Sequence, residues 1–319
     1  MEFAHASPPP PPVKLTAPLR IGTRGSPLAL VQANLVAGAL RAVHGLDEAA
    51  VEIVAIRTSG DRIQDRPLAE LGGKALWTKE LDRALLAGET DMSVHSMKDV
   101  ESWRPDTLVL AAMLPRADVR DRLIGAASLD TLPRGARVGT SSPRRAAQLL
   151  HLRPDLAIVP IRGNVATRLA RLQAGEADAT LLAAAGLDRL GHAGIGVAVP
   201  VDIMLPAACQ GAVGVECRAG DALIADLVGS VNHAPTWACV AAERAVLAAL
   251  GGSCRSPAAV LAVIDEPGIA VRAEILSEDG AERVQGAARL VPGDEDAPAR
   301  LARDLLDRAS PALRAAFAG

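Results

Sequence analysis

Aromatic residues are nearly missing from this chain. Its 319 residues include no Tyr, two Phe and three Trp. Proteins that hold single-stranded nucleic acid stack its bases on exposed rings, and this sequence has almost none to offer. A formal net charge of -3 also argues against a globally basic nucleic-acid binder. No run approaches the ~18 uncharged apolar residues of a membrane helix, so no membrane partner is expected. Cysteine is sparse: Cys209, Cys217, Cys239 and Cys254 all fall after position 208. Their spacings are too wide for a metal knuckle and their number too small for a disulfide scaffold, so neither a metal nor a disulfide is expected. The opening MEFAHASPPPPPVK has no apolar core of the kind a secretory signal needs. Residues 1–18 therefore read as a Pro-rich tail with polyproline II at Pro8–Pro12, and the protein as cytoplasmic with reduced thiols. Lysine is the last shortage. Lys14, Lys74, Lys79 and Lys98 are the only lysines among 34 basic residues, and three of them lie between 74 and 98. Because Arg and Lys are not interchangeable at constrained sites, that window draws attention.

What is present is an alternation. At roughly 100–200 residues per domain, the length allows two or three domains. Short apolar runs at 19–23, 51–57, 91–96, 108–113, 136–139, 156–161 and 179–182 read as strands. Amphipathic stretches at 27–43, 78–87, 143–151 and 164–174 read as helices. This order implies open α/β layers with mostly parallel strands. The remainder reads as a small α+β domain: a helix at 235–250, paired strands at 258–264 and 269–276, and a helix at 298–316.

Two segments echo each other: Ile21-Gly22-Thr23-Arg24-Gly25-Ser26-Pro27 and Val138-Gly139-Thr140-Ser141-Ser142-Pro143. Each is a strand end, a small polar turn, then Pro where a helix begins. Free N–H groups and the positive helix end suit an anion there. Two such turns in separate halves imply two similar lobes sharing one cleft. Arginines gather at the same helix starts: Arg24, Arg144, Arg145, Arg162 and Arg168. A planar fork grips carboxylates bidentately, so the cluster points to a small polyanion.

Three further stretches stay open on spacing alone. His95-Ser96-Met97-Lys98-Asp99-Val100 follows a strand. A carboxylate among cations there can hold a positive charge or move a proton, but an exposed loop ion pair explains the spacing better. Leu71-Gly72-Gly73-Lys74 lacks P-loop spacing; it reads either as a loop that closes on a ligand or as a plain turn. Gly251-Gly252-Ser253-Cys254 presents a thiol on a small-residue loop, where most lone cysteines are inert.

Taken in order, RIGTRGSPLAL, TSGD, LGGK, HSMKDV, GTSSPRR, IRGNVATRL, QGAVGVEC and GGSC resemble the porphobilinogen deaminases, also called hydroxymethylbilane synthases, from about Leu19 to Pro257. The resemblance implies two lobes like type II periplasmic binding proteins, with a discontinuous chain path, plus a small C-terminal α+β domain. It implies residues 19–114 with 212–231 as the first domain, 119–206 as the second and 234–319 as the third. It implies a dipyrromethane cofactor held as a thioether on Cys254. Four porphobilinogen molecules are then joined head to tail with release of ammonia, and hydrolysis frees hydroxymethylbilane. Asp99 matches the catalytic aspartate. Lys98, Ser141, Arg144, Arg145 and Arg168 fall on cofactor-binding positions. Arg24, Ser26, Arg162, Arg189, Lys74 and Gln210 fall on substrate-binding positions. A monomer that passes its product to uroporphyrinogen-III synthase is implied as well. The sequence departs from the family at Glu70, Ala75, Trp77, Glu101, Ser253 and Arg255. A non-catalytic bilobed binding protein for an anionic metabolite is the alternative.

Overall fold

The structure is a computed structural model, and it describes residues 15, 17–58, 78–253, 256–291, 294 and 296–317. Residues 1–14 and 16 of the Pro-rich tail, Glu70, Gly72, Gly73, Lys74, Ala75, Trp77, Cys254 and Arg255 lie outside the described residues. In chain order the first strands and helices are β1 (Leu19–Arg24), α1 (Pro27–His44), β2 (Val51–Ile56), α2 (Lys79–Leu86), β3 (Met92–Ser96) and β4 (Leu108–Met113). Then come β5 (Asp121–Ile124), β6 (Arg137–Gly139), α3 (Pro143–Leu152), β7 (Ala157–Val159), α4 (Val165–Gln173), β8 (Ala179–Ala183), α5 (Ala184–Arg189) and β9 (Val197–Ala198). The chain ends with β10 (Val213–Arg218), α6 (Ala222–Gly229), α7 (Ala234–Ala249), β11 (Ala258–Asp265), β12 (Gly268–Leu276), β13 (Arg283–Leu290), α8 (Ala297–Arg308) and α9 (Pro311–Ala315).

Two of the sheets follow one plan. The first runs β2-β1-β3-β10-β4 and the second β7-β6-β8-β5-β9. Each has a parallel trio, then an antiparallel strand, then an edge strand. In each, the antiparallel strand is delivered by a crossing between lobes: β5 opens the second lobe and β10 returns to the first. These are the expected two α/β lobes with a discontinuous chain path. The sequence echo sits at equivalent places in them. Ser26 caps α1 after β1, accepting from Ala29 N, and Ser142 caps α3 after β6, accepting from Arg145 N. Pro follows each cap, where its missing N–H costs no hydrogen bond.

The third sheet is an antiparallel meander, β11-β12-β13. Periodicity reads β11 and β12 but misses β13, whose sequence RVQGAARL buries only Val284 fully. It also misses β5, which lies in a run of charges, and β9, which is only two residues long. The helix expected at 298–316 is two helices. Pro311 has no N–H to continue α8, and Ser310 starts α9 by accepting from Leu313 N.

One carboxylate ties the third sheet's helix to both crossings. Glu243, on α7 and fully buried, takes a two-pronged bond from Arg116 (Nη1 at 2.7 Å, Nη2 at 3.0 Å). It also accepts from Cys209 N and, at 2.7 Å, from Ala262 N. Arg116 lies on the outgoing crossing, Cys209 on the returning one and Ala262 on β11. The crossings also meet directly through Ala117 N to Gly211 O at 3.2 Å. Gly211 has φ +87°, and a β-carbon there would stand 2.6 Å from Ala117 O. Gly211→Ala is therefore expected to cost about 1–3 kcal/mol and to lower the thermal midpoint. An unchanged midpoint by calorimetry would show that the crossing has room to spare.

Candidate active site

The cleft is built around a short 3-10 turn. β3 ends at Ser96, and Met97–Asp99 turn directly after it. Met97 and Val100 are buried in the core that joins the crossings to the third sheet. Met97 N donates to Ala212 O at 3.1 Å. With its two flanks pinned this way, the turn leaves Lys98 and Asp99 only half buried.

The arginines of the second lobe arrive from the opposite side. Arg144 and Arg145 occupy the first turn of α3, Arg168 the first turn of α4, and Arg162 the loop before it. These groups share one electrostatic field. Burial pushes the Lys98 ammonium down to about 8; Asp99 opposes this, Arg145 adds to it, Asp121 opposes it and Arg144 adds to it. Burial likewise pushes the Arg168 guanidinium down to about 10, with Arg145 and Arg162 adding to the effect and Asp99 opposing it. Among the described residues, five cations (Lys98, Arg144, Arg145, Arg162, Arg168) thus stand against three carboxylates (Asp99, Asp121, Glu274). Such an excess within a half-buried cleft favours a polyanionic ligand.

Both arginines of α3 have a protein partner that periodicity does not reveal. Asp121, the first residue of β5, receives Arg144 Nη2 at 2.8 Å, Arg145 Nη2 at 2.7 Å and Arg145 Nε at 3.1 Å. Gln210 Nε2 adds a fourth bond at 2.8 Å. The remaining expected residues sit nearby. Ser141 Oγ donates to Ile161 O at 3.1 Å, Arg168 Nε to Gly163 O at 2.9 Å and Arg189 Nη2 to Gly211 O at 2.7 Å. Burial also lowers the Arg189 guanidinium. Arg24 and Ser26 share a small cavity with Asp99, Gln32, His95 and Ser96. Among the described residues, Arg162 Nη1 is a buried donor without a hydrogen-bond partner. Lys74 and Cys254 lie outside the described residues.

Beneath Asp99 lies a buried network that sequence reasoning missed. His95 Nε2 stands 3.0 Å from Glu216 Oε2. Arg104 forks the same carboxylate, at 2.8 and 2.9 Å, and reaches Asp82 at 2.6 Å. Glu101, a departure from the family pattern, is absorbed here: it accepts from Thr78 Oγ1 at 3.2 Å and from Arg104 Nη1 at 3.3 Å. Burial raises the Glu216 carboxyl, but His95 and Arg104 outweigh it and hold the group at about 2, against an ordinary 4.5. A depressed acid contributes stability that is complete above its ordinary value and is lost as the pH falls through its folded value. Glu216→Gln is therefore expected to be less stable than the parent at neutral pH. It should then lose less on acidification from about pH 5 to pH 2. Parallel acid limbs in denaturant titrations would refute this.

Comparison with known proteins gives one answer along the chain. Residues 19–226 match the family described as porphobilinogen deaminase, dipyromethane cofactor binding domain, and residues 237–307 match porphobilinogen deaminase, C-terminal domain. The chain is 58% identical to the porphobilinogen deaminase of Sphingopyxis alaskensis, over 94% of this chain and 97% of that one. It is 50% identical to that of Paracoccus denitrificans, over 92% and 95%, and 48% identical to the chloroplastic enzyme of Oryza sativa subsp. japonica, over 90% and 81%. Solved structures align more loosely. The second substrate-binding domain of a putative amino acid ABC transporter from Streptococcus pneumoniae covers 73% of this chain and 94% of its own, at 14% identity and a TM-score of 0.42. The two-lobed assignment accordingly rests on the strand orders. With matches spanning both lobes and the C-terminal unit, the chain belongs to the porphobilinogen deaminase family.

Proposed function

We propose that this enzyme condenses four porphobilinogen molecules head to tail on a covalent dipyrromethane primer, releases ammonia at each step and finally hydrolyses the product to hydroxymethylbilane. The observation that carries the reading is Asp99, a carboxylate that lines one cavity with Arg24 and Ser26 and acts on Lys98 and Arg168. Each pyrrole ring of such a chain bears two carboxylates, so the ligand is densely anionic. The residues fit it: cations outnumber carboxylates in the cleft, and the buried Nη1 of Arg162 is a donor in want of an acceptor. Arg24, Ser26, Arg162, Arg189, Gln210 and Lys74 are assigned to substrate. Lys98, Ser141, Arg144, Arg145 and Arg168 are assigned to the primer.

When bound, the dipyrromethane supplies the pyrrole carbon to which the first substrate ring is joined. The chain's own groups do the rest. As ammonia leaves porphobilinogen, its C–N bond breaks and positive charge develops on the substrate pyrrole. The Asp99 carboxylate stabilises that charge. The new C–C bond leaves one proton to be lost from the attacked carbon, and Asp99 is the base placed to move it. That proton balances the one taken up by the departing ammonia.

Cys254 is assigned as the anchor. The other three cysteines are buried at 3% exposure or less for Cys209 and Cys217 and 6% for Cys239. Burial raises all three thiols, that of Cys209 to about 12. A thiol held protonated is a poor nucleophile. Residues 19–114 with 212–231, 119–206 and 234–319 are taken as the three domains behind the 1–18 tail. On this reading the enzyme works as a monomer in the cytoplasm, and uroporphyrinogen-III synthase receives its product. Among the described residues no helix is long and apolar enough to cross a membrane.

The reading is tested by ammonia release from porphobilinogen, which a non-catalytic binding protein would not give. Asp99→Asn should keep the fold and lower kcat on the order of a hundredfold or more. Activity within a few-fold of the parent would sink the assignment. Cys254→Ala should lack the adduct mass after denaturation and be inactive. Retention of the added mass would move the anchor to another residue.

A further inference from the structure

We propose that Asp121 is a positioning residue for this reaction: its carboxylate sets the forks of Arg144 and Arg145 so that Arg145 meets the ligand's carboxylates at a fixed place and angle. The proposal rests on the reading above and adds a residue to it.

A guanidinium has five N–H donors. Arg145 gives three to the protein: Nε and Nη2 to Asp121 and Nη1 to Leu181 O at 2.9 Å. Two remain, one on each terminal nitrogen, and their direction is dictated by the three bonds already made. Arg144 is fixed from behind. Its Nη1 donates to Gln148 Oε1 and Leu205 O, both at 2.7 Å, and its Nη2 to Asp121. Gln148 is itself held by Leu205 O at 2.9 Å and by Glu274 of β12.

The carboxylate cannot be a stand-in that a ligand displaces. Asp121 is 3% exposed. Its backbone pairs with Ala183 in β8, and its carbonyl accepts from Val199 N at 2.8 Å. Gln210 Nε2 binds both its Oδ1 and Val119 O, at 2.8 Å each, so the returning crossing holds the same acid. Charge compensation alone is also a poor account. Asp121 is the one carboxylate hydrogen-bonded to the two guanidiniums among the described residues, Glu274 acting on Arg144 through space, and an apolar trio of the same volume is often at least as stable. What the arrangement does secure is geometry, beside Lys98, Arg168 and Asp99.

The test uses two substitutions in the full chain. Asp121→Glu keeps the charge and lengthens the arm by one methylene; Asp121→Asn keeps the shape and removes the charge. Folding is read by circular dichroism, adduct loading by intact mass, and KM and kcat by ammonia release from porphobilinogen per adduct-bearing chain. Both variants are expected to fold. In Asp121→Glu, the adduct-bearing fraction should drop or kcat of loaded chains should fall on the order of tenfold, with KM within about threefold. Asp121→Asn should be worse in the same direction. Asp121→Glu with the parent's kcat and adduct fraction overturns the proposal, since the charge alone would then suffice. A rise in KM alone overturns it too, because Arg145 is assigned to the primer and not to the incoming substrate. Loss of the folded spectrum in Asp121→Glu would assign the acid to stability and overturn it as well. If Arg145→Lys is impaired while Asp121→Glu is normal, only this proposal fails. If the parent releases no ammonia, the reading beneath it fails.

Discussion

Two arginines stand side by side in the first turn of α3, where the helix end is itself positive and water is largely excluded. Nothing in the helix favours that arrangement. Like charges repel, burial penalises each, and the lobe can keep both only by supplying a negative partner at fixed range. Asp121 is that partner, and its place in the fold follows from the chain path. It is the first residue of the strand that carries the chain into the second lobe, so the acid arrives at the cleft as part of the crossing. Sharing one carboxylate between two forks leaves N–H groups of Arg145 unused, and a ligand with many carboxylates can take them.

The cleft balances this with a second device. Lys98 and Asp99 sit on a turn whose neighbours, Met97 and Val100, are locked into the core shared with the third sheet. Beneath them, His95, Glu216, Arg104 and Asp82 form a paired layer that leaves little freedom to the floor. Cations come mainly from the second lobe, and Asp99 comes from the first. The two walls are joined at crossings that Arg116 and Glu243 fasten to α7.

Much of this was legible in the sequence, and what escaped it did so for physical reasons. β4 was read at its observed bounds, and the Ser-Pro caps marked the starts of α1 and α3, because caps and alternation are local. Asp121 escaped because it lies in RADVRDRL, a run of charges that reads as a solvated loop until β8 and β9 pair on either side of it. Glu216 and Glu243 escaped for a related reason. Each is a lone acid in an apolar element, and its meaning depends on an arginine more than 100 positions away. The arginines of the cleft were found because they cluster after strand ends. That Arg144 and Arg145 first hold an internal carboxylate is a tertiary fact with no local signal.

The crossing strands also bear on how the polypeptide is made. In the first sheet, β3 and β4 do not pair with each other; β10 lies between them. A nascent chain that has reached Met113 therefore holds an edge strand whose partner is about a hundred residues from being translated. The second sheet has no such gap, since β5 to β9 are contiguous in sequence. The half that leaves the ribosome first is thus the half whose sheet closes later. Its unpaired edges wait, exposed to mispairing, until β10 emerges to close the sheet.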